Sequence, residues 1–75
     1  MTLLQGKIGS HYQVERLELE GTRKRRLQAL GLTAGTNISV LNNKKSGSVI
    51  FMVRGTRLAV GREIAEAIKV QEVSA

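Results

Sequence analysis

Gly31 and Gly35 constrain this chain more than any other pair of residues. They stand between a basic run, Arg23–Leu30, and an alternating one, Asn37–Leu41. If Gly31 is the first residue past a helix, it takes a left-handed backbone without a Cβ penalty. Leu32 and Leu27 then fall at the two positions whose apolar contact closes a Schellman ending. Gly35 suits the third position of a type II turn over residues 33–36, where φ must be positive. Ile38 and Val40 alternate with Asn37 and Ser39, the period of a half-buried strand. Helix, stop, turn and strand follow with almost no spacer, which requires a small and tightly connected domain.

The rest of the chain reads as short strands separated by glycine signals. His11–Leu17 is expected as a strand with Tyr12 and Val14 on one face and His11, Gln13 and Glu15 on the other. Thr22 is a suitable N-cap for a helix over about residues 23–30. After the Asn37–Leu41 strand, the segment Asn42–Gly47 has the composition of a polar hairpin loop. Ser48–Val53 and Thr56–Val60, joined by Arg54-Gly55, should pair antiparallel. Gly61 breaks the pattern, Arg62–Ala67 reads as one or two helical turns with Ile64 and Ala67 inward, and Ile68–Gln71 closes the domain. Leu3 and Leu4 should tuck beneath it, and the last residues should fray. The expectation is mainly β: one domain over residues 1–75, a small closed barrel of about five strands, with one short helix after the first strand and a helical turn before the last.

With 75 residues, such a domain buries only about 60% of its unfolded surface. There is no Cys, so neither disulfides nor thiolate–zinc sites are available to staple it. Leu, Ile and Val must supply the core, since Tyr12 and Phe51 are the only aromatics. Thr2–Ile8 is too short and polar for a signal peptide. The longest apolar run, Val49–Val53, is far below the ~20 residues that cross a bilayer. A cytoplasmic protein without direct membrane insertion is expected.

The residue inventory argues against catalysis. One His and no Cys or Asp exclude Ser-His-Asp and Cys-His arrangements, and no phosphate-binding P-loop pattern occurs. Metal sites need clustered His, Cys or carboxylate ligands, whereas His11 stands alone on the polar face of its strand, near Glu15 only if that strand bends. No catalytic, cofactor-binding or metal-ligating residue is assigned, and no cofactor is expected.

Several ordered pieces resemble the ferrous iron transport protein A (FeoA) family. Gly9 followed by Tyr12, Val14 and Leu17 is similar to the family's first strand. Arg26-Leu27, Leu30-Gly31-Leu32, Gly35, Ile38 and Val40 are similar to its helix–turn–strand signature. Arg54-Gly55 with Leu58–Gly61, and Ala65, Ile68 and Val70, match its last hairpin and closing strand. The family usually has Pro before the turn glycine, where this chain has Ala34; the turn loses some rigidity but is not forbidden. The resemblance implies an SH3-like barrel and a non-enzymatic accessory role. The implied partner is the cytosolic region of a membrane ferrous iron transporter that carries a GTPase domain. The same fold occurs as an appended domain in metal-dependent repressors, and here no length remains for a winged helix, so a free-standing version is expected.

The net charge of +6 favours an anionic partner. Arg23-Lys24-Arg25-Arg26 begins in the first turn of the expected helix, where each cation costs about 0.3–1 kcal/mol at low salt. Helix stability therefore does not explain the run. It reads either as a solvated face, partly neutralised by Glu15, Glu18 or Glu20, or as a contact surface for an acidic patch. In the second reading Arg23, Lys24 and Arg25 face outward and Arg26 pairs internally beside the apolar stripe. Lys44 and Lys45 form a second candidate, and Arg54 and Arg57 would extend the positive surface. Two aromatics are too few to wall a polyproline groove, so a charged and aliphatic contact is expected. The rival function is a basic small barrel that binds nucleic acid; it lacks stacking platforms. A third reading is self-association through Ser48–Val53 as an edge strand.

Overall fold

The computed structural model describes residues 1–44 and 47–73. Helix α1 covers Gly21–Ala29 and ends as its sequence requires. The Leu32 N–H donates to the Leu27 carbonyl at 3.0 Å and the Gly31 N–H to the Gln28 carbonyl at 3.0 Å, the two bonds of a Schellman motif. Gly31 has φ +101°. Leu32 is fully buried, with Leu27 packed against the core beside it. The turn follows at once: Thr36 N–H donates to Thr33 C=O at 3.0 Å, with Gly35 at φ +89°. Gly35 N–H and Thr36 C=O also bond to Val14, at 2.7 and 2.9 Å, so the turn is stitched to the first strand before the next strand begins. At the other end α1 starts two residues early. Glu20, not Thr22, occupies the N-cap position and no side chain caps the helix.

Five strands form one antiparallel sheet: β1 (His11–Leu17), β2 (Asn37–Lys44), β3 (Ser48–Val53), β4 (Thr56–Gly61) and β5 (Ile68–Glu72), in the order β4-β3-β2-β1-β5. β4 and β5 are not paired, so the sheet curls but does not close into the barrel expected from the sequence. The short helix α2, Arg62–Ala67, packs between β4 and β5. β3 lies between β2 and β4, which removes it as the edge for self-association.

Two bulges curve the sheet. In β1 the register passes from Val14↔Val70 to Arg16↔Lys69, leaving Glu15 unpaired, and the change of phase turns Leu17 inward after Tyr12 and Val14. In β2 the same happens at Leu41, between Val40↔Phe51 and Asn42↔Ile50. The bulge lets β2 run on to Lys44, through residues that read as loop. It also places Asn43 opposite Val49 on the inward phase, where its Nδ2 donates to the carbonyls of Leu4 and Gly6 at 2.9 and 2.8 Å.

The core collects Leu3 from a short 3-10 turn (Leu3–Gln5), the inward residues of all five strands, Leu32 and Ala65. In α2 the buried residue is Ala65, with Ile64 and Ala67 only half-buried, because the helix meets the barrel through its small side chain. Tyr12 is fully buried, and its hydroxyl accepts from the Lys7 N–H at 2.8 Å, which satisfies the one polar atom an aromatic of this kind brings inside. The fraying expected at the C-terminus falls at residues 74 and 75, outside the described residues.

Candidate docking groove

α1 faces the Ala59–Gly61 end of β4 and is tied to the neighbouring elements at both ends. At its start, Arg23 Nη1 stands 3.8 Å from Glu63 Oε1, just beyond the end of β4. At its finish, the aliphatic stem of Arg54, at the β3–β4 hairpin tip, lies over Gly31; a Cβ on Gly31 would sit 2.8 Å from Arg54 Cδ. Arg54 and Gly55 both have positive φ, +49° and +79°, as a two-residue type I′ hairpin needs. A left-handed arginine costs about 1–2 kcal/mol, and here it brings a cation beside the C-terminal end of α1, where the helix dipole favours one.

Between these two ties the helix and strand stand apart. A groove of about 640 Å³ opens there, with Leu27, Val60 and Ile64 along its apolar part and Arg23, Arg26, Arg62 and Glu63 around it. Arg62 Nε also lies 3.4 Å from Glu66 Oε1. Arg26 is exposed and makes no ion pair among the described residues. The groove is therefore aliphatic within and cationic along its rim.

Residues 1–72 match the FeoA domain family. The chain belongs to the FeoA family. That family is associated with ferrous iron transport. A relative from Methanocaldococcus jannaschii, provisionally named Fe(2+) transport protein A, is 29% identical over 66 residues, covering 88% of this chain and 79% of the relative. The solution structure of FeoA from Chlorobium tepidum superposes with a TM-score of 0.90 at 31% identity, over 99% of this chain and 71% of that one. FeoA from Stenotrophomonas maltophilia, described as a prokaryotic SH3 domain protein and solved with zinc, shares the fold with a TM-score of 0.80 at 22% identity, over 95% of this chain and 89% of that one.

In this FeoA domain the groove takes in one of the seven basic residues singled out from sequence, six of which are described. Arg23 lines the groove. Lys24 is half-buried and does not, and Arg25 is exposed away from it. Arg54 ties down the far end of α1, and Arg57 is exposed on β4. Lys44 is exposed at the end of β2, and Lys45 lies outside the described residues. Arg26, expected to pair internally, instead lines the groove, while Arg62 was not anticipated at all. Its only local signal is Gly61, which ends β4 and starts α2 in one step.

Of the carboxylates expected to neutralise α1, Glu18 is engaged elsewhere. Glu18 pairs with Arg16 at 3.8 Å and Lys69 at 3.1 Å, and the acid facing the helix is Glu63. β1 does bend at Glu15, but the side chain beside His11 Nδ1 is Ser39, whose Oγ is 3.3 Å away. Among the described residues no three His, Cys, Asp or Glu side chains gather at metal-binding range. No helix there is long and apolar enough to cross a membrane.

Proposed function

We propose that this chain is a non-enzymatic cytosolic accessory protein of ferrous iron uptake. It binds the cytosolic, GTPase-containing region of a membrane ferrous iron transporter and modulates it through protein contacts. Family membership supports the iron-transport setting. The observation that carries the contact is the groove between α1 and β4, aliphatic within and rimmed by Arg23, Arg26 and Arg62. Buried apolar anchors ringed by charge are what a specific protein contact uses. Arg57, Arg54 and the exposed cations of α1 extend the positive field around it and would speed encounter with an acidic partner.

Tyr12 and Phe51 are both fully buried, so neither offers the stacking surface on which single-stranded nucleic acid binders rely. The nucleic-acid reading is left with net charge alone.

Capture of the transporter's cytosolic region by the immobilised chain, with and without guanine nucleotide, tests the proposal. Binding at about 150 mM salt, weakened by reversing Arg23 and Lys24 to Glu while the melting temperature holds, is the expected result. Equal capture by the reversed and native chains would remove the α1 cations from the contact. No capture in either nucleotide state, with oligonucleotide retained instead, would replace this function with nucleic-acid binding.

A further inference from the structure

β4 has an open edge, and the groove lies beside its Ala59–Gly61 end. The β3–β4 hairpin pairs Val53 with Thr56, Phe51 with Leu58 and Val49 with Val60. In a two-residue hairpin the pair flanking the turn is a bonded one, and bonded pairs alternate along an antiparallel ladder. Thr56, Leu58 and Val60 therefore direct their N–H and C=O groups toward β3. Arg57 and Ala59 direct theirs outward, and neither makes a further backbone bond among the described residues. Ala59 lines the groove, and its small side chain leaves the edge accessible. Across from it stand Arg26 and Leu27 of α1.

From this arrangement we infer that β4 is a strand-addition site: an extended, acidic and aliphatic segment of a partner protein pairs with the outward groups of Arg57 and Ala59. Main-chain pairing of this kind supplies affinity, and pockets for alternate side chains supply selectivity. Aliphatic side chains of the segment pack on Leu27, Val60 and Ile64. Its carboxylates meet Arg26 and Arg57, which make no ion pair among the described residues, and compete for Arg23 and Arg62, whose exposed pairs with Glu63 and Glu66 at 3.8 and 3.4 Å are weak. The excess of cations selects an acidic segment over a second copy of this chain, whose net charge is also +6 and whose own Arg57 would be brought toward this one. The identity of the partner rests on the function proposed above; the site rests on β4.

The test uses the whole ¹⁵N-labelled chain and an alternating Glu-Val peptide of about eight residues, a little longer than an average strand. Saturable shifts of the Arg57 and Ala59 amides are expected, with hydrogen exchange at Ala59 slowed about tenfold or more, the signature of a protected bond. A peptide N-methylated at alternate residues on its pairing edge, or an alternating Lys-Val peptide, should do neither. Ala59→Pro deletes the outward donor without removing a ladder bond. It should weaken the Glu-Val peptide at least about tenfold, roughly 1.4 kcal/mol. Were that variant not to fold, the N-methylated peptide on the native chain decides. Equal binding by the N-methylated peptide, shifts confined to arginine side chains, or equal displacement of the same amides by a short oligothymidylate would each overturn strand addition. If the transporter region binds native and Ala59→Pro chains equally, the edge site is wrong and transporter docking stands. If the peptide pairs with β4 but no transporter region is captured, the docking reading is wrong and the edge site stands.

Discussion

Along β5 the outer edge of the sheet carries the N-terminal segment: Val70 N–H donates to Met1 C=O at 2.9 Å, and Thr2 bridges Lys69. Along β4, at the opposite end of the same sheet, the outward groups of Arg57 and Ala59 meet no backbone among the described residues. An uncovered edge invites pairing with another chain, and proteins blunt such edges with covers, charges or proline. This molecule covers one edge with its own backbone. The other has one arginine, no proline and a groove beside it. The contrast teaches how little chain closes an edge: Met1 and Thr2 cover β5, and no described residue does the same for β4.

The cover over β5 is anchored in the core, and breaking that anchor should have the largest effect. Leu3 is fully buried, so Leu3→Ala should destabilise the domain by about 2–5 kcal/mol, the range for deleting a large buried aliphatic side chain. Denaturant unfolding measures it. A loss well below that range would mean that the cover is peripheral and that the two edges differ less than their bonds suggest.

The groove beside β4 depends on α1 being held off the strand, and the tie at Gly31 comes next. Gly31→Ala places a Cβ in a left-handed residue, at about 1–2 kcal/mol, and displaces the stem of Arg54. Gly35 has a similar φ but open space around it. Gly35→Ala is therefore the control for backbone strain. The difference between the two melting temperatures reads the contribution of the Arg54 contact alone; no difference would show that the hairpin tip does not secure the helix.

A smaller effect belongs to Asn43, which ties the 3-10 turn to β2. Asn43→Ala leaves the Leu4 and Gly6 carbonyls without that donor. The loss should be about 1 kcal/mol, at the low end for unsatisfied groups because this site is only partly buried. Hydrogen exchange at the Val70 amide should rise with it, since the same turn holds Met1 and Thr2 over β5.

These residues also show what the sequence discloses. The Schellman ending at Gly31 and the turn at Gly35 were legible because each is settled within six residues by backbone sterics. The hairpin at Arg54-Gly55 was legible for the same reason. The bulges at Glu15 and Leu41 were not, because nothing in either residue type marks it as the extra one. That hid the extension of β2 and the inward Asn43. The unpaired β4–β5 boundary was also hidden, since one or two helical turns fit equally well within a closed barrel or across its gap. The groove was only half legible. The basic run on α1 announced a charged face, but which of its members faces β4 depends on where the helix lies. That placement depends on contacts distant in sequence, Leu27 and Leu32 on the core and Arg54 over Gly31, so Arg26 and Arg62 could not be selected from spacing alone.

Arg23 should give the smallest change in stability. Its partner Glu63 is 3.8 Å away, and both side chains are mostly exposed, a setting in which an ion pair contributes about 0.2–1 kcal/mol. The cation also sits in the first turn of α1, against the helix dipole, at about 0.3–1 kcal/mol in the opposite sense. The two terms nearly cancel, so Arg23→Ala should leave the melting temperature almost unmoved. Raising the salt concentration should not separate mutant from native, since screening weakens both terms together. A clear loss of stability would mean that the Glu63 pair clamps the near end of the groove as firmly as Arg54 clamps the far end. A clear gain would mean that the helix tolerates Arg23 only at a cost, which strengthens its assignment to a partner's surface over its own fold.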